Sequence, residues 1–63
     1  MQLEDLIKVK FGSQAKCAKA MNWTRQKLNK IINKQREARV SEINELAQAL
    51  DIPVSDVVIF LTN

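Results

Sequence analysis

Residues 14–32 read QAKCAKAMNWTRQKLNKII, and the spacing within this stretch decides the fold. Ser13 offers a hydroxyl cap to a helix running from Gln14 to Met21, and Thr24 offers a second cap to a helix carrying Leu28, Ile31 and Ile32 on its buried side. Between them stands Asn22, at the point where the chain must reverse. After glycine, asparagine best tolerates the left-handed backbone that a tight turn needs. Two helices cross at about 90–120° when the middle of the first is small, the turn accepts a left-handed residue and the second buries two apolar residues one turn apart. Counting from Gln14, those positions are Ala18, Asn22 and the pair Leu28 and Ile31, at gaps of four, four, six and three.

Working outward, the same arithmetic gives an all-α chain of five short helices. Leu3, Leu6, Ile7 and Phe11 recur at i, i+3, i+4 and i+8, a single apolar stripe that Gly12 terminates. On the second helix the inward residues are expected to be Ala15, Cys17, Ala18 and Met21. A polar stretch from Asn33 to Arg39 leads to a fourth helix, expected to be capped by Ser41 and to bury Ile43, Leu46, Ala47 and Leu50. Asp51-Ile52-Pro53 breaks that helix, and a fifth is expected over Val54–Leu61. Its run Val57-Val58-Ile59-Phe60-Leu61 is β-prone, so an extended segment competes there with the helix.

With 63 residues, one glycine, one proline and no repeat, the sequence is expected to form one domain over residues 1–63. The chain has 46% hydrophobic and 27% charged residues, a globular composition. No run reaches the ~20 apolar residues of a membrane span, and Met1-Gln2-Leu3-Glu4-Asp5 lacks a signal-peptide layout, so the expected location is the cytoplasm. Cys17 is the only cysteine and there is no histidine, which removes the usual disulfide, metal and general-base chemistry; no enzyme, cofactor or metal site is expected. Cys17 reads as a small core residue in preference to a redox sensor.

The charge is unevenly placed. Between Ser13 and Arg39 stand Lys16, Lys19, Arg25, Lys27, Lys30, Lys34, Arg36 and Arg39 against Glu37 alone, a net +7, while the flanks carry a net −4. Such a concentrated field suits a polyanion, although a merely solvated basic face gives the same pattern.

Combined with that field, the spacing of Gln14–Ile32 is that of a DNA-binding helix-turn-helix. The run FGSQAKCAKAMNWTRQKLNKIINKQRE resembles the helix-turn-helix of lambdoid phage repressor and Cro proteins, and ELAQALDIPVSDV resembles the closing helices of the all-helical, repressor-like branch. The resemblance spans about residues 3–61. It implies five helices, homodimers on near-palindromic double-stranded operator DNA, and transcriptional control. Three departures stand out: Asn22 occupies a turn position where glycine is usual, Lys34 follows Asn33 where the repressors often carry glycine, and, most important, the recognition helix carries Arg25 and two lysines in place of the glutamine-rich face of some relatives, so no operator sequence is inherited from them.

In this motif the front of the second helix enters the major groove. With Leu28 and Ile31 inward, Arg25, Gln26, Asn29 and Lys30 face out. Arg25 matches guanine O6 and N7, Gln26 matches adenine N6 and N7, and Asn29 and Lys30 are expected to reach a neighbouring base or phosphate. Lys27 falls to one side, towards phosphate or solvent. Gln14, with the free N–H groups opening its helix, is expected at a phosphate. The resemblance adds Asn33, Lys34, Arg36 and Arg39 along the DNA backbone. About four neutralised phosphates per subunit give a dimer a log affinity–log salt slope near −7. Trp23 fits a hydrophobic staple on Leu28 better than a wedge in the groove.

At the C-terminal end, Val58, Phe60 and Leu61 are expected on an uncovered apolar face that meets a second copy. A chain running from Met1 to just beyond the fifth helix is expected to lack a sensing domain, leaving control to its own concentration and to competition for sites. A competing function is a protein-interaction module, an antitoxin or anti-repressor that uses the same fold and grips its partner with this apolar end.

Overall fold

A computed structural model describes residues 2–62, which form five helices and no strand: α1 (Leu3–Phe11), α2 (Gln14–Ala20), α3 (Arg25–Ile32), α4 (Val40–Leu50) and α5 (Val54–Thr62). The outermost residues of the expected domain, Met1 and Asn63, lie outside this range. Every helix contributes to one core: Leu3 and Ile7, Cys17 and Ala18, Leu28 and Ile31, then Leu46, Ala47, Leu50 and Val57. α1 is the hub, packing against α2, α4 and α5, while α3 is carried chiefly on α2. Burial pushes the Cys17 thiol up, and its Sγ lies 3.9 Å from Met21 Sδ, the setting of an inert core residue.

The helix ends explain the turns. Gly12 closes α1 at φ +90°, a conformation that suits a residue with no Cβ, and its N–H donates to Lys8 O at 2.9 Å. Ser13 Oγ accepts the Lys16 N–H at 3.2 Å and Thr24 Oγ1 accepts that of Lys27 at 3.1 Å, the two expected caps. α2, α3 and α4 all end in one pattern of paired backbone bonds, Trp23 N–H to Ala18 O with Asn22 to Lys19, Gln35 to Lys30 with Lys34 to Ile31, and Ile52 to Ala47 with Asp51 to Gln48. This is the Schellman closure, and it requires a left-handed residue. None of the three is glycine: Asn22, Lys34 and Asp51 stand at φ 60°, 61° and 55°.

Lysine has no short polar side chain to offset that conformation. Lys34→Gly is therefore expected to raise stability by about 0.5–1 kcal/mol, read as a higher urea midpoint.

Three local expectations are corrected. Ala15 is exposed: the inward direction of α2 is set by Cys17, Ala18 and Met21, and Ala15 lies about 100° round the helix from its centre. α4 is capped by Arg39, not Ser41, because the Glu42 carboxylate turns back to accept the Arg39 N–H at 2.8 Å and starts the helix at Val40. On α5, Phe60 and Leu61 are half-buried against the core together with buried Val57. Those three recur at i, i+3 and i+4, which also settles the segment as helix. The outward apolar set is Val54, Val58 and Ile59, the last 55% exposed, so Val58 alone of the expected outward residues belongs to it.

Candidate nucleic-acid interface

α3 presents two chemically opposite sides. Leu28 and Ile31 are 0% and 1% exposed, whereas Arg25, Gln26 and Lys30 are open to solvent. Among the described residues the Arg25, Gln26 and Lys30 side chains make no hydrogen bond or ion pair, so their donors are available to an incoming ligand. Together with Asn29 and Gln35 they line a shallow hollow of about 560 Å³. Gln35 was not singled out in the sequence. It arrives there because the Schellman closure of α3 folds the chain back, with its N–H on Lys30 O at 2.9 Å.

Asn29 is half-buried and already engaged. Its Nδ2 donates to Gln14 Oε1 at 3.1 Å, and its Oδ1 accepts from Asn33 Nδ2 at 3.0 Å. Three amides from the start of α2, the middle of α3 and the cap of α3 thus form one chain across the helix seam. Gln14 and Asn33, both expected at the DNA backbone, come together through it.

The basic residues divide into two groups. Glu42, whose side chain is only 6% exposed, accepts Arg36 Nη1 and Nη2 at 3.2 and 3.0 Å and lies 3.0 Å from Lys27 Nζ. These contacts, led by the Arg39 N–H and the Arg36 guanidinium, hold its carboxyl at about 2 in place of 4.5. The Lys27 ammonium also sits 4.4 Å from the Trp23 ring centroid. Of the expected phosphate contacts, Lys27 and Arg36 therefore have protein partners, whereas Lys34 and the Arg39 side chain are exposed without an acidic partner among the described residues. Glu42 itself was missed in the sequence, although two signals mark it. It stands three residues after the cap, and it shares a stripe with Leu46 and Leu50.

Trp23 packs half-buried on the core, and its Nε1–H donates to Glu45 Oε2 of α4 at 3.1 Å. This favours the packing role over the wedge. The indole ties the turn to α4, and Lys27 covers its face.

Two exposed helices joined by a short turn, one held on the other by buried aliphatics and fronted by unpaired arginine, glutamine and lysine, suit a nucleic-acid groove. No helix among the described residues is long and apolar enough to cross a membrane. No curated protein and no solved structure matches the chain. A family model described as helix-turn-helix matches residues 12–57, which takes in α2 through the start of α5. The chain belongs to the helix-turn-helix family of DNA-binding domains.

Proposed function

We propose that the protein is a transcriptional regulator of the Cro or repressor type, a single domain that binds double-stranded operator DNA as a homodimer and reads the major groove with α3. The observation that carries this reading is the division of α3 itself, with Leu28 and Ile31 in the core and Arg25, Gln26 and Lys30 unpaired on the opposite side. Arg25 and Gln26, in the first turn, are the leading base readers, for guanine and adenine respectively. Lys30 follows them one turn later. Lys34 and Arg39 serve the DNA backbone, and Lys27 and Arg36 reach it only to the extent that Glu42 releases them. The apolar set Val54, Val58 and Ile59 supports the dimer, since these three exposed apolar residues share one helix.

Selection of bound duplexes from random DNA tests the reading. Two inverted half-sites about one helical turn apart are expected. On the selected duplex, Arg25→Ala is expected to cost about 1–3 kcal/mol of binding and to relax preference at one base pair. With Lys34 and Arg39 neutralising about two phosphates per subunit while Glu42 holds Lys27 and Arg36, the salt slope for the dimer is expected to be about −4, shallower than the roughly −7 of four free contacts. Recovery of no preferred sequence would remove the proposal, and an equal Arg25→Ala loss on every sequence would move Arg25 to the phosphates.

A further inference from the structure

The amide chain across the α2–α3 seam has a direction, and that direction determines what its ends can offer. An amide carries two N–H donors and a carbonyl that accepts. Asn29 gives an N–H to Gln14 and takes one from Asn33, so both of its functions are in use. Among the described residues, Gln14 is left with its carbonyl engaged and both Nε2 hydrogens free. Asn33, at the other end, keeps one free N–H and its carbonyl.

The three positions were expected to contact DNA independently, Asn29 at a base or phosphate and the other two at phosphates. The geometry points to a different division of labour: we propose that Asn29 is a positioning residue, not a reader, and that it holds Gln14 as a donor-only clamp for a phosphate oxygen of the DNA backbone. A phosphate oxygen only accepts, so an amide presenting two N–H groups and no carbonyl is matched to it at either non-bridging oxygen. Were Gln14 unheld, rotation about its last torsion would present the carbonyl as readily as the amine, and a carbonyl facing phosphate is repelled. Asn33 completes the chain by donating to Asn29 Oδ1, the pairing that leaves Asn29 Nδ2 to point at Gln14. The chain also joins α2 to α3 on the side that carries Arg25 and Gln26, so the clamp and the readers keep a fixed separation.

This inference rests on the DNA-binding reading, and two measurements separate their failures. The first needs no DNA. In side-chain amide spectra of the free protein, Asn29 and Asn33 are each expected to show one hydrogen slowed in exchange, and Gln14 none; Asn29→Ala is expected to shift the Gln14 and Asn33 signals. Protection at Gln14 with none at Asn33 would mean the opposite polarity and would overturn the clamp. The second uses a duplex selected from random DNA by the wild-type protein, with a mixed-sequence duplex as control. Asn29→Ala, which places a strong helix former in α3 and is checked by its melting curve, is expected to weaken both duplexes about five-fold, the loss of one held hydrogen bond. In a Gln14→Ala background the same substitution is expected to change affinity less than two-fold. A loss that persists undiminished in that background, or one confined to the selected duplex with relaxed preference at one base pair, would make Asn29 a direct reader and overturn the proposal. If the wild-type protein selects no duplex and binds none, the DNA reading fails and the clamp has no phosphate to hold, even where the spectra show the expected polarity.

Discussion

Leu28→Ala is expected to destabilise the protein by about 3 kcal/mol, which removes more than half of its stability and raises the unfolded share at room temperature to about 3%. Leu28 is 0% exposed and sits on α3 beside Ile31, the two residues that attach this helix to the core. Removing its branched end loses the transfer free energy and leaves a cavity that a chain of this size has few neighbours to refill, and such truncations cost about 2–5 kcal/mol. A folded unit of about 60 residues has a small total stability, on the order of 5 kcal/mol, so the fraction lost is large. Urea unfolding followed by helical ellipticity measures it. A change below about 1 kcal/mol would mean that α3 is not seated by this residue, and the assignment of its outward side would go with it.

The second large effect concerns Glu42. Glu42→Ala is expected to cost about 2–3 kcal/mol at neutral pH. Breaking a buried ion pair costs about 3–5 kcal/mol, and here the figure is reduced because the cationic partners are about one-third exposed and can turn to water. The substitution leaves Lys27 and Arg36 side by side without their counter-charge and frees the Arg39 N–H at the start of α4. The same contacts make a pH dependence. The folded protein holds the Glu42 carboxyl at about 2 against 4.5, so the folded state disfavours the proton. The stabilisation is therefore complete above pH ~4.5 and is lost as pH falls from there towards 2. It amounts to about 2 kcal/mol after allowance for solvent screening at the exposed partners. Acid titration of the wild type and of Glu42→Gln is expected to show a destabilisation over this interval that the variant lacks. Parallel curves would remove Glu42 from the acid response.

How far the molecule could be read in advance depended on how local each determinant is. The five helices follow from stripes and caps within a few residues of one another: Leu3, Ile7 and Phe11 before Gly12, Thr24 before Leu28 and Ile31. Asn22 in the left-handed region was legible for the same reason. What escaped depended on neighbours distant in the chain or on competing local bonds. Ser41 is a good cap by type, but the Glu42 carboxylate bonds the Arg39 N–H and opens α4 earlier. Ala15 fits an apolar pattern, yet its small side chain gains little by burial and falls outside the arc that faces α1 and α3. On α5 five apolar residues in a row leave the inward side undefined by periodicity. Contact with α1 and α4 selects Val57, Phe60 and Leu61 and leaves Val58 and Ile59 outside.

In the binding region, the outward placement of Arg25, Gln26 and Lys30 followed from the burial of Leu28 and Ile31 alone. The engagement of Asn29 by Gln14, fifteen residues away, did not, because which amides meet across a helix crossing depends on the packing distance. Nor did the partnership of Glu42 with Lys27, which lies on a different helix.

If the chain reads operator DNA as proposed, the shared carboxylate also bears on discrimination between targets. A cation free to swing onto any sugar–phosphate strand strengthens attachment to every stretch of a genome alike, and so lowers the share of molecules found at the intended one. On that proposal, Glu42 would restrain this indiscriminate grip by keeping Lys27 and Arg36 occupied, and would leave Arg25 and Gln26 at liberty. Fold maintenance and the ability to ignore wrong sequences would then be joined in a single acidic side chain.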